Sequence, residues 1–300
     1  MNILLAGASG MIGKALIKRL GDTHQWFLLG RCKDKLSTQF PQHHCVSYAE
    51  LDDFKQEIDV VIHLSGQNIA DFLWTKAYRQ KILDSRVQTA LQLCQWINQQ
   101  QHSMRVLAAN AIGFYGCYMQ ASPEFSEDMH IEPNPDCFSQ HITHQWQAAW
   151  QALQEPKQLT IMRFGVVLQK NQGMLKRLTP SFKLGAGAIL GSGKQMISWI
   201  DIDDLCDAIM FLMEQPGVEG EFNLVAPHPV SQADFAKQLA QTFKRGLHLR
   251  LPAWLIKGMM GQMGQELLLS GQAVLPKRLS ELGFHFNYPH LQQSLSKAYG

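Results

Sequence analysis

Three glycines near the amino terminus have the spacing of a loop that binds phosphate. Gly7, Gly10 and Gly13 form a G-x-x-G-x-x-G pattern after the apolar run 3–6 and at the start of a helical pattern over 11–20. In such a unit the first glycine permits a tight turn, the second admits a diphosphate to the backbone, and the third allows close helix–strand packing. Free amides and the dipole at the helix N-terminus then favour an anion. The pattern predicts the diphosphate site of a dinucleotide cofactor.

Arg31 stands just after the second predicted strand, 26–29. A dinucleotide with a free 2′-hydroxyl usually meets Asp or Glu at the end of this strand. Here the segment reads Leu29-Gly30-Arg31, without a carboxylate. A planar guanidinium can instead hold a 2′-phosphate through paired hydrogen bonds. The segment therefore favours NADP(H) over NAD(H), and the alternative is that Arg31 is only a solvated surface charge.

Other polar groupings predict no metal site. Cys137, His141 and His144 could reach one ion from a helix, but no fourth ligand accompanies them, and structural zinc normally takes four. An acidic cluster further on is expected to cap the helix that follows it instead of binding a metal. That cluster consists of Asp201, Asp203 and Asp204.

The elements that must position these residues alternate along the first part of the chain. Apolar strand patterns are separated by helical patterns over 11–20, 74–100 and 137–153. Such alternation predicts a doubly wound parallel α/β sheet of the Rossmann type. We expect a dinucleotide-binding domain over 1–165 that also receives 196–225. A smaller α/β substrate lobe over 166–300 would include a mobile glycine-rich loop at 184–193 and a small helical domain at 251–298. The predicted strands are 3–6, 26–29, 46–48, 60–64, 105–109 and 160–163.

Composition narrows the class of protein. The 300 residues are 46% hydrophobic and 17% charged, with a net charge of +2. A dedicated nucleic-acid binder would need a larger basic surplus. No run of 18 apolar residues suggests a membrane span, and the six cysteines include no C-x-x-C pair. We therefore expect a cytoplasmic protein with reduced thiols that binds neither nucleic acid nor a membrane.

Several longer segments carry a family resemblance. The chain resembles the extended short-chain dehydrogenase/reductase superfamily and, within it, the YfcH-type branch of epimerase family proteins. The resemblance spans nearly the whole chain, and its later segments are more specific than the glycine loop. The matching segments are 7–13, 63–70, 74–75, 84–86, 111–116, 163–168, 190–193, 198–205, 275–279, 283–284 and 288–289.

The resemblance implies a cofactor site and a substrate class. It implies that NADP(H) lies along the carboxyl ends of the strands and that the substrate is a small molecule such as a nucleoside-diphosphate sugar. Helices of such sheets often pair in dimers, so the sequence is compatible with a homodimer but does not decide between a monomer and a dimer. The implied diphosphate contacts are Ser9, Gly10, Met11 and Ile12, and Arg31 would hold the 2′-phosphate. Leu64, Ser65 and Gly66 would line the nicotinamide ribose, and Phe164, Gly165 and Val166 would pass near the nicotinamide.

The sequence departs from the superfamily in its acid–base residues. Most members use a Tyr whose pKa is lowered by a Lys four residues later on the same helix. The nearest alignment here puts Ser139 and Thr143 at those positions, and Asn110 stands where the branch usually shows Ser. Asn110 and Tyr115 are the catalytic candidates, although a packed aromatic is the simpler interpretation of Tyr115. Relocated groups could also include His141 and His144.

Two functions remain open on this sequence. One is an NADP(H)-dependent epimerase or oxidoreductase with relocated acid–base groups. The other is a non-catalytic NADP(H)-binding regulatory or scaffolding protein. The absent Tyr-x-x-x-Lys pair favours the second, and a glycine-rich loop over a cleft favours the first.

Overall fold

A computed structural model describes residues 1–154 and 158–300 of the chain. Its strands are β1 (Asn2–Ala6), β2 (Gln25–Gly30), β3 (His44–Ser47), β4 (Val60–His63), β5 (Arg105–Ala111), β6 (Glu124–Phe125), β7 (Gln158–Phe164), β8 (Val166–Leu168), β9 (Ala188–Leu190), β10 (Met196–Ile197), β11 (Trp199–Asp201), β12 (Gly220–Leu224), β13 (Val230–Ser231), β14 (Leu249–Leu251) and β15 (Ala273–Val274). Its α-helices are α1 (Met11–Leu20), α2 (Lys33–Gln39), α3 (Lys76–Asn98), α4 (Phe138–Ala149), α5 (Gly173–Lys183), α6 (Ile202–Glu214), α7 (Gln232–Thr242), α8 (Ala253–Leu268), α9 (Lys277–Glu281) and α10 (Leu291–Tyr299).

A seven-stranded parallel sheet forms the centre of the molecule. Its strand order is β12-β7-β5-β4-β1-β2-β3. From β1 the chain winds first toward β3, then returns to β4 on the other side and winds outward to β12. The order therefore reverses between β1 and β4, which is where ligands bind in open α/β sheets. The predicted doubly wound Rossmann fold is confirmed.

The central strands are largely apolar because helices cover both faces of the sheet. Residues Ile3 to Ala6 of β1 have no exposed surface, and Leu4 pairs with Phe27 on one side and Val61 on the other. Helix α1 packs against α6, and α3 packs against α4. This burial holds the carboxyl ends of the parallel strands at one edge, and the loops that follow them therefore share one surface.

A second hydrophobic cluster lies under α5, α7 and α10. Its buried members include Leu175, Trp199, Phe235 and Leu295. The sequence analysis does not predict helix α5, since Gly173 begins it and Pro180 lies inside it, and both residue types usually mark a break in a helix. The predicted mobile loop over 184–193 also contains a strand, β9, that pairs with β14.

The expected domain boundaries stay predictions, although β12, which lies in the range 196–225, does add to the large sheet. The acidic cluster caps α6 as expected, since the Asp201 carboxylate accepts a hydrogen bond from the Asp203 amide at 2.8 Å. Within the described ranges, no helix is long and apolar enough to cross a membrane.

The cysteines require a correction. The expectation of six reduced thiols is wrong for one pair, because Cys117 and Cys137 form a disulfide. The fold brings the loop after β5 to the beginning of α4, which places the two Cα atoms 6.5 Å apart across a sequence separation of 20. Spacing alone gave no sign of this approach, since it depends on how α4 docks. The free thiols are Cys32, Cys45, Cys94 and Cys206.

Candidate functional site

The glycine loop joins β1 to α1 in a turn that two of its glycines make possible. Gly7 has a φ of +96°, and a Cβ there would lie 2.7 Å from the carbonyl carbon of Leu64. A Cβ at Gly13 would lie 2.5 Å from the Gly7 oxygen. Neither backbone neighbour can yield. Glycine at position 7 therefore permits the close approach of the loop after β4, and glycine at position 13 permits the close approach of α1 to the end of β1.

The N-terminus of α1 offers unpaired donors to a ligand. Its first turn contains Met11, Ile12 and Gly13, whose N–H groups have no acceptor within the helix. Gly10 is the N-cap residue and makes no side-chain capping hydrogen bond. Ser9 and Gly10 are exposed at the mouth of the loop. The helix therefore presents free amides and the positive end of its dipole to an anion, as the sequence predicts for a diphosphate.

Arg31 lies at the edge of the same surface, directly after β2. Its side chain is exposed, and in the described chain no carboxylate lies within 4.0 Å of its guanidinium. The nearby Glu50 is already engaged with Lys33 at 2.9 Å and with the hydroxyl of Ser47 at 2.8 Å, and these contacts lower the pKa of Glu50 to about 2. The positive charge of Arg31 is thus available to an external anion.

The loop after β4 packs beside the glycine loop. The Leu64 amide donates to the Ala6 carbonyl at 2.8 Å, and the Ser65 hydroxyl lies 3.2 Å from the hydroxyl of Tyr48. Burial raises the pKa of Tyr48 to about 12. Gly66 is exposed. This loop gives the cofactor site a second wall, next to the N-terminus of α1.

The residue between β7 and β8, Gly165, follows the carboxyl end of β7 and therefore lies at the same edge of the sheet as the glycine loop. A Cβ at Gly165 would lie 2.8 Å from the Ser198 oxygen and 2.8 Å from the Val225 side chain. The Gly165 amide donates to Leu224 at 3.1 Å, and the Val166 amide donates to Ser198 at 2.9 Å. The loops after β1, β2, β4 and β7 therefore meet at one edge, and the individual cofactor contacts, including that of Phe164, stay predictions.

The catalytic candidates lie inside the protein. Asn110 is 2% exposed, and its amide donates to the Thr143 carbonyl at 3.1 Å. Tyr115 has no exposed surface, donates to Asn223 at 2.8 Å and accepts from Arg163 at 3.1 Å. These contacts account for both side chains without a substrate. Their catalytic roles stay predictions, and the packed interpretation of Tyr115 agrees with its position.

The two histidines near α4 differ in their surroundings. His144 stacks on Phe114 with ring centroids 4.1 Å apart, and burial lowers its pKa. His141 is exposed. Neither residue belongs to the one grouping of possible metal ligands found in the described ranges, which consists of Cys117, Cys137 and Glu266 and contains the disulfide.

A residue that the sequence analysis did not identify accepts hydrogen bonds from Ser139, which stands at one of the two positions of the superfamily's acid–base pair. The Glu266 carboxylate, on α8, accepts hydrogen bonds from the Phe138 amide at 2.9 Å, the Ser139 amide at 2.8 Å and the Ser139 hydroxyl at 2.6 Å. Thr143 donates back to the Gln140 carbonyl at 2.9 Å. Both hydroxyls therefore have hydrogen-bond acceptors within the protein. No local pattern identifies Glu266, because its partners lie 127 or 128 residues away.

Two family models match consecutive parts of the chain. The model described as the NAD dependent epimerase/dehydratase family matches residues 3–225. A domain of unknown function, DUF1731, matches residues 251–298. The first range contains the large sheet and the glycine loop, and the second contains α8 with Glu266.

Similar proteins span the whole chain. The epimerase family protein SDR39U1 homolog, chloroplastic, from Arabidopsis thaliana is 31% identical over 304 residues, covering 98% of this chain and 86% of that protein. The human epimerase family protein SDR39U1 in its structure with NADPH is 26% identical with a TM-score of 0.90, covering 100% of this chain and 99% of that one. The nucleoside-diphosphate sugar epimerase from Corynebacterium glutamicum is 25% identical with a TM-score of 0.78, covering 100% of this chain and 58% of that one.

Proposed function

The chain belongs to the NAD dependent epimerase/dehydratase family, and on that basis we propose that it binds NADP(H) as an epimerase or oxidoreductase. The substrate is a small or nucleotide-linked molecule, such as a nucleoside-diphosphate sugar. The observation that carries the cofactor assignment is Arg31, an exposed cation directly after β2. Two similar proteins support the proposal, one in a structure with NADPH and one called a nucleoside-diphosphate sugar epimerase.

Charge supports NADP(H) over NAD(H). The 2′-phosphate adds negative charge where NAD(H) has a hydroxyl, and a planar guanidinium can bind two phosphate oxygens at once. Glu50, the carboxylate that pairs with Lys33 of this segment, is held by Lys33 and Ser47. It is therefore engaged within the protein and is not placed as a free acceptor for a ribose hydroxyl.

Replacement of Arg31 tests the cofactor assignment. Wild-type protein should bind NADPH at least about tenfold more tightly than NADH, because hydrogen bonds to charged groups contribute about 1.5–3 kcal/mol. Arg31→Ala should remove most of that difference, as measured by fluorescence titration of both nucleotides. Lys35→Ala is the matched control, since Lys35 is another exposed cation of the same segment and its loss leaves the Lys33–Glu50 pair in place. Equal affinities of the wild type for NADPH and NADH would refute the assignment.

The hydrogen bonds of two hydroxyl groups on α4 favour a second candidate function. Ser139 and Thr143 stand at the positions of the superfamily's acid–base pair, and both hydroxyls are engaged within the protein. This arrangement favours a non-catalytic NADP(H)-binding regulatory or scaffolding protein. Incubating the protein with NADPH and a panel of carbonyl compounds and nucleotide sugars separates the two functions. Oxidation of NADPH or epimerisation of any member supports the enzyme, and silence across the panel with NADPH bound supports the binding protein.

A further inference from the structure

Two stretches of the chain have a strong positive charge that the net charge of the whole protein hides. Residues 158–200 and 235–265 together contain 11 Lys and Arg and no Asp or Glu. Of the 27 Lys and Arg in the chain, 16 therefore remain in the rest of the sequence, against 25 Asp and Glu. The two stretches include α5, β9, β14 and most of α7 and α8. The protein is thus basic in these stretches and acidic elsewhere.

The basic elements meet in one region of the structure. Strand β9 pairs with β14 in parallel, with Leu190 opposite Leu251. The Arg245 Nε donates to the Lys183 carbonyl at 3.0 Å, which joins the segment after α7 to the end of α5. Helix α8 begins two residues after β14. Residues 183–190 and 244–254 are therefore neighbours, and we call their solvent-exposed side the ribbon surface.

Large apolar side chains are exposed on the ribbon surface. Leu184 is 83% exposed, Trp254 72%, Leu249 49% and Leu251 40%. Leu249 and Leu251 lie on one face of β14, since alternate residues of a strand point the same way. A single exposed leucine needs no explanation, but four large apolar side chains on neighbouring segments are typical of an interaction site.

Cations stand among these apolar residues without ion partners. Lys183, Arg245 and Arg250 are exposed, and the ion pairs of the described ranges include none of these three side chains. Lys183 and Arg250 are each a chain neighbour of an exposed leucine. The ribbon surface therefore presents positive charge and apolar side chains together.

We propose that the ribbon surface binds the surface of an anionic lipid bilayer. Charge complementarity selects this partner, because lysine and arginine are attracted to anionic headgroups while apolar side chains enter the boundary between headgroups and acyl chains. Tryptophan favours that boundary, since its ring is apolar and its N–H group is polar. A nucleic acid would use the cations through its phosphates but would leave the leucines without a partner.

Such binding lies on the bilayer and does not cross it. It needs no run of about 18 apolar residues, and a net charge of +2 does not oppose it, because 11 of the cations lie in stretches that contain no carboxylate side chain. The sequence-based expectation of no membrane partner used only those two properties of the chain. The proposal goes beyond NADP(H) binding, since none of the predicted cofactor residues lies on the ribbon surface.

Flotation with lipid vesicles tests the charge contribution. Wild type should bind vesicles of equal parts phosphatidylglycerol and phosphatidylcholine at least about tenfold more tightly than vesicles of phosphatidylcholine alone. The double variant Lys183→Gln/Arg250→Gln should bind the anionic vesicles about tenfold or more weakly than wild type, because each cation near such a surface contributes about fivefold. Lys55→Gln/Lys81→Gln removes two exposed lysines outside the ribbon surface and should bind as wild type does.

Replacement of Trp254 tests the apolar contribution. Trp254→Ala should bind the anionic vesicles about tenfold more weakly than wild type, because the indole no longer enters the headgroup boundary. Phe72→Ala is the control, since Phe72 is another aromatic residue that is mostly exposed, and it should bind as wild type does. Circular dichroism of each variant checks its folding. If Trp254→Ala does not fold, Leu184→Ser applies the same comparison at a more exposed position.

Each outcome supports or overturns the proposal. Failure of the wild type to bind anionic vesicles overturns it, and binding of mixed-sequence duplex DNA by that protein would assign the surface to nucleic acid. Equal weakening by the two double variants also overturns it, because the attraction would then come from charge in general and not from the ribbon surface. Unchanged vesicle binding by Trp254→Ala would exclude insertion of the apolar side chains. NADPH titration is a separate measurement, so its failure contradicts only the proposed function.

Discussion

Gly10 and Gly13 belong to one motif but meet different surroundings. A Cβ at Gly13 would lie 2.5 Å from the Gly7 oxygen, whereas one at Gly10 would lie 3.2 Å from that oxygen. Gly10 is exposed and has a φ of −72°, which any residue adopts. Packing requires Gly13, whereas the role predicted for Gly10 is to admit the diphosphate of the proposed cofactor. The spacing of the motif is visible in the sequence, but this division of roles is visible only in the structure.

Replacing each glycine by valine separates these roles. Gly10→Val should abolish NADPH binding and leave the melting temperature within a few degrees of wild type, because the new side chain occupies the diphosphate position. Gly13→Val should lower the melting temperature strongly, since α1 must move away from β1. Calorimetry and nucleotide titration of both variants check the prediction. Normal NADPH affinity in Gly10→Val would show that the diphosphate lies elsewhere.

His63, at the end of β4, is a buried base. It has no exposed surface, its Nε2 lies 3.0 Å from the Thr89 hydroxyl, and burial lowers its pKa from 6.5 to about 3. The unfolded chain therefore takes up the proton first as the pH falls. The free energy of unfolding should decrease from about pH 6.5 toward pH 3, by up to about 1.4 kcal/mol per pH unit.

Urea denaturation of wild type and His63→Gln at pH 7 and pH 4.5 measures this contribution. The carboxylates affect both proteins alike, so the difference between their pH slopes belongs to His63. The free energy of unfolding of His63→Gln should change less between pH 7 and pH 4.5 than that of the wild type. Identical slopes would mean that His63 titrates normally in the folded protein.

At the scale of elements, the N-terminus of α4 is capped by a residue that is distant in the sequence. Its N-cap residue, Cys137, makes no side-chain capping hydrogen bond, and the Glu266 carboxylate accepts from the first amides instead. Periodicity located α3, which occupies 76–98 against a predicted 74–100. It could not reveal a cap supplied from α8. Helix α5 was missed because Gly173 begins it and Pro180 lies inside it, and both residue types usually mark a break in a helix.

Replacement of Glu266 should therefore weaken α4. Glu266→Ala should lower the free energy of unfolding by about 1–2 kcal/mol, the usual cost of a lost N-cap, with a further loss from the charge at the helix N-terminus. Glu266→Gln should cost less, because its amide oxygen can still accept one hydrogen bond. Chemical denaturation measures both, with the largely exposed Glu281→Gln as the control. Equal stability of wild type and Glu266→Ala would exclude the capping role.

At the scale of the whole molecule, strand alternation and the glycine loop were sufficient to predict the parallel sheet. The contacts that join the carboxyl-terminal segment to that sheet were not predictable, because they link residues more than eighty positions apart. The Asp204 carboxylate is one of them. Expected to cap α6, it accepts hydrogen bonds from the amides of Asn287 at 2.8 Å and Tyr288 at 2.9 Å. The Asp204 carboxylate thus fixes the segment before α10 against α6, a helix that packs on the large sheet.

Asp204→Ala should loosen the attachment of the segment before α10 to α6. Hydrogen exchange at the amides of Asn287 and Tyr288 should accelerate, and the free energy of unfolding should fall by about 1–3 kcal/mol, because two amides lose their hydrogen bonds to a charged acceptor. Glu214→Ala, at an exposed position of the same helix, should change neither quantity. Unaltered exchange at both amides in Asp204→Ala would show that other contacts hold the segment.

The position of Glu266 has a consequence for the way this polypeptide is divided. A fragment that stops at residue 250 would keep every strand of the large sheet but would expose the first amides of α4 to water. Such a shortened protein should express as a nucleotide-binding unit with a frayed helix beside the site. The carboxyl-terminal region therefore stabilises the fold by capping α4. An exchange of this region between relatives would require the exchange of α4 as well.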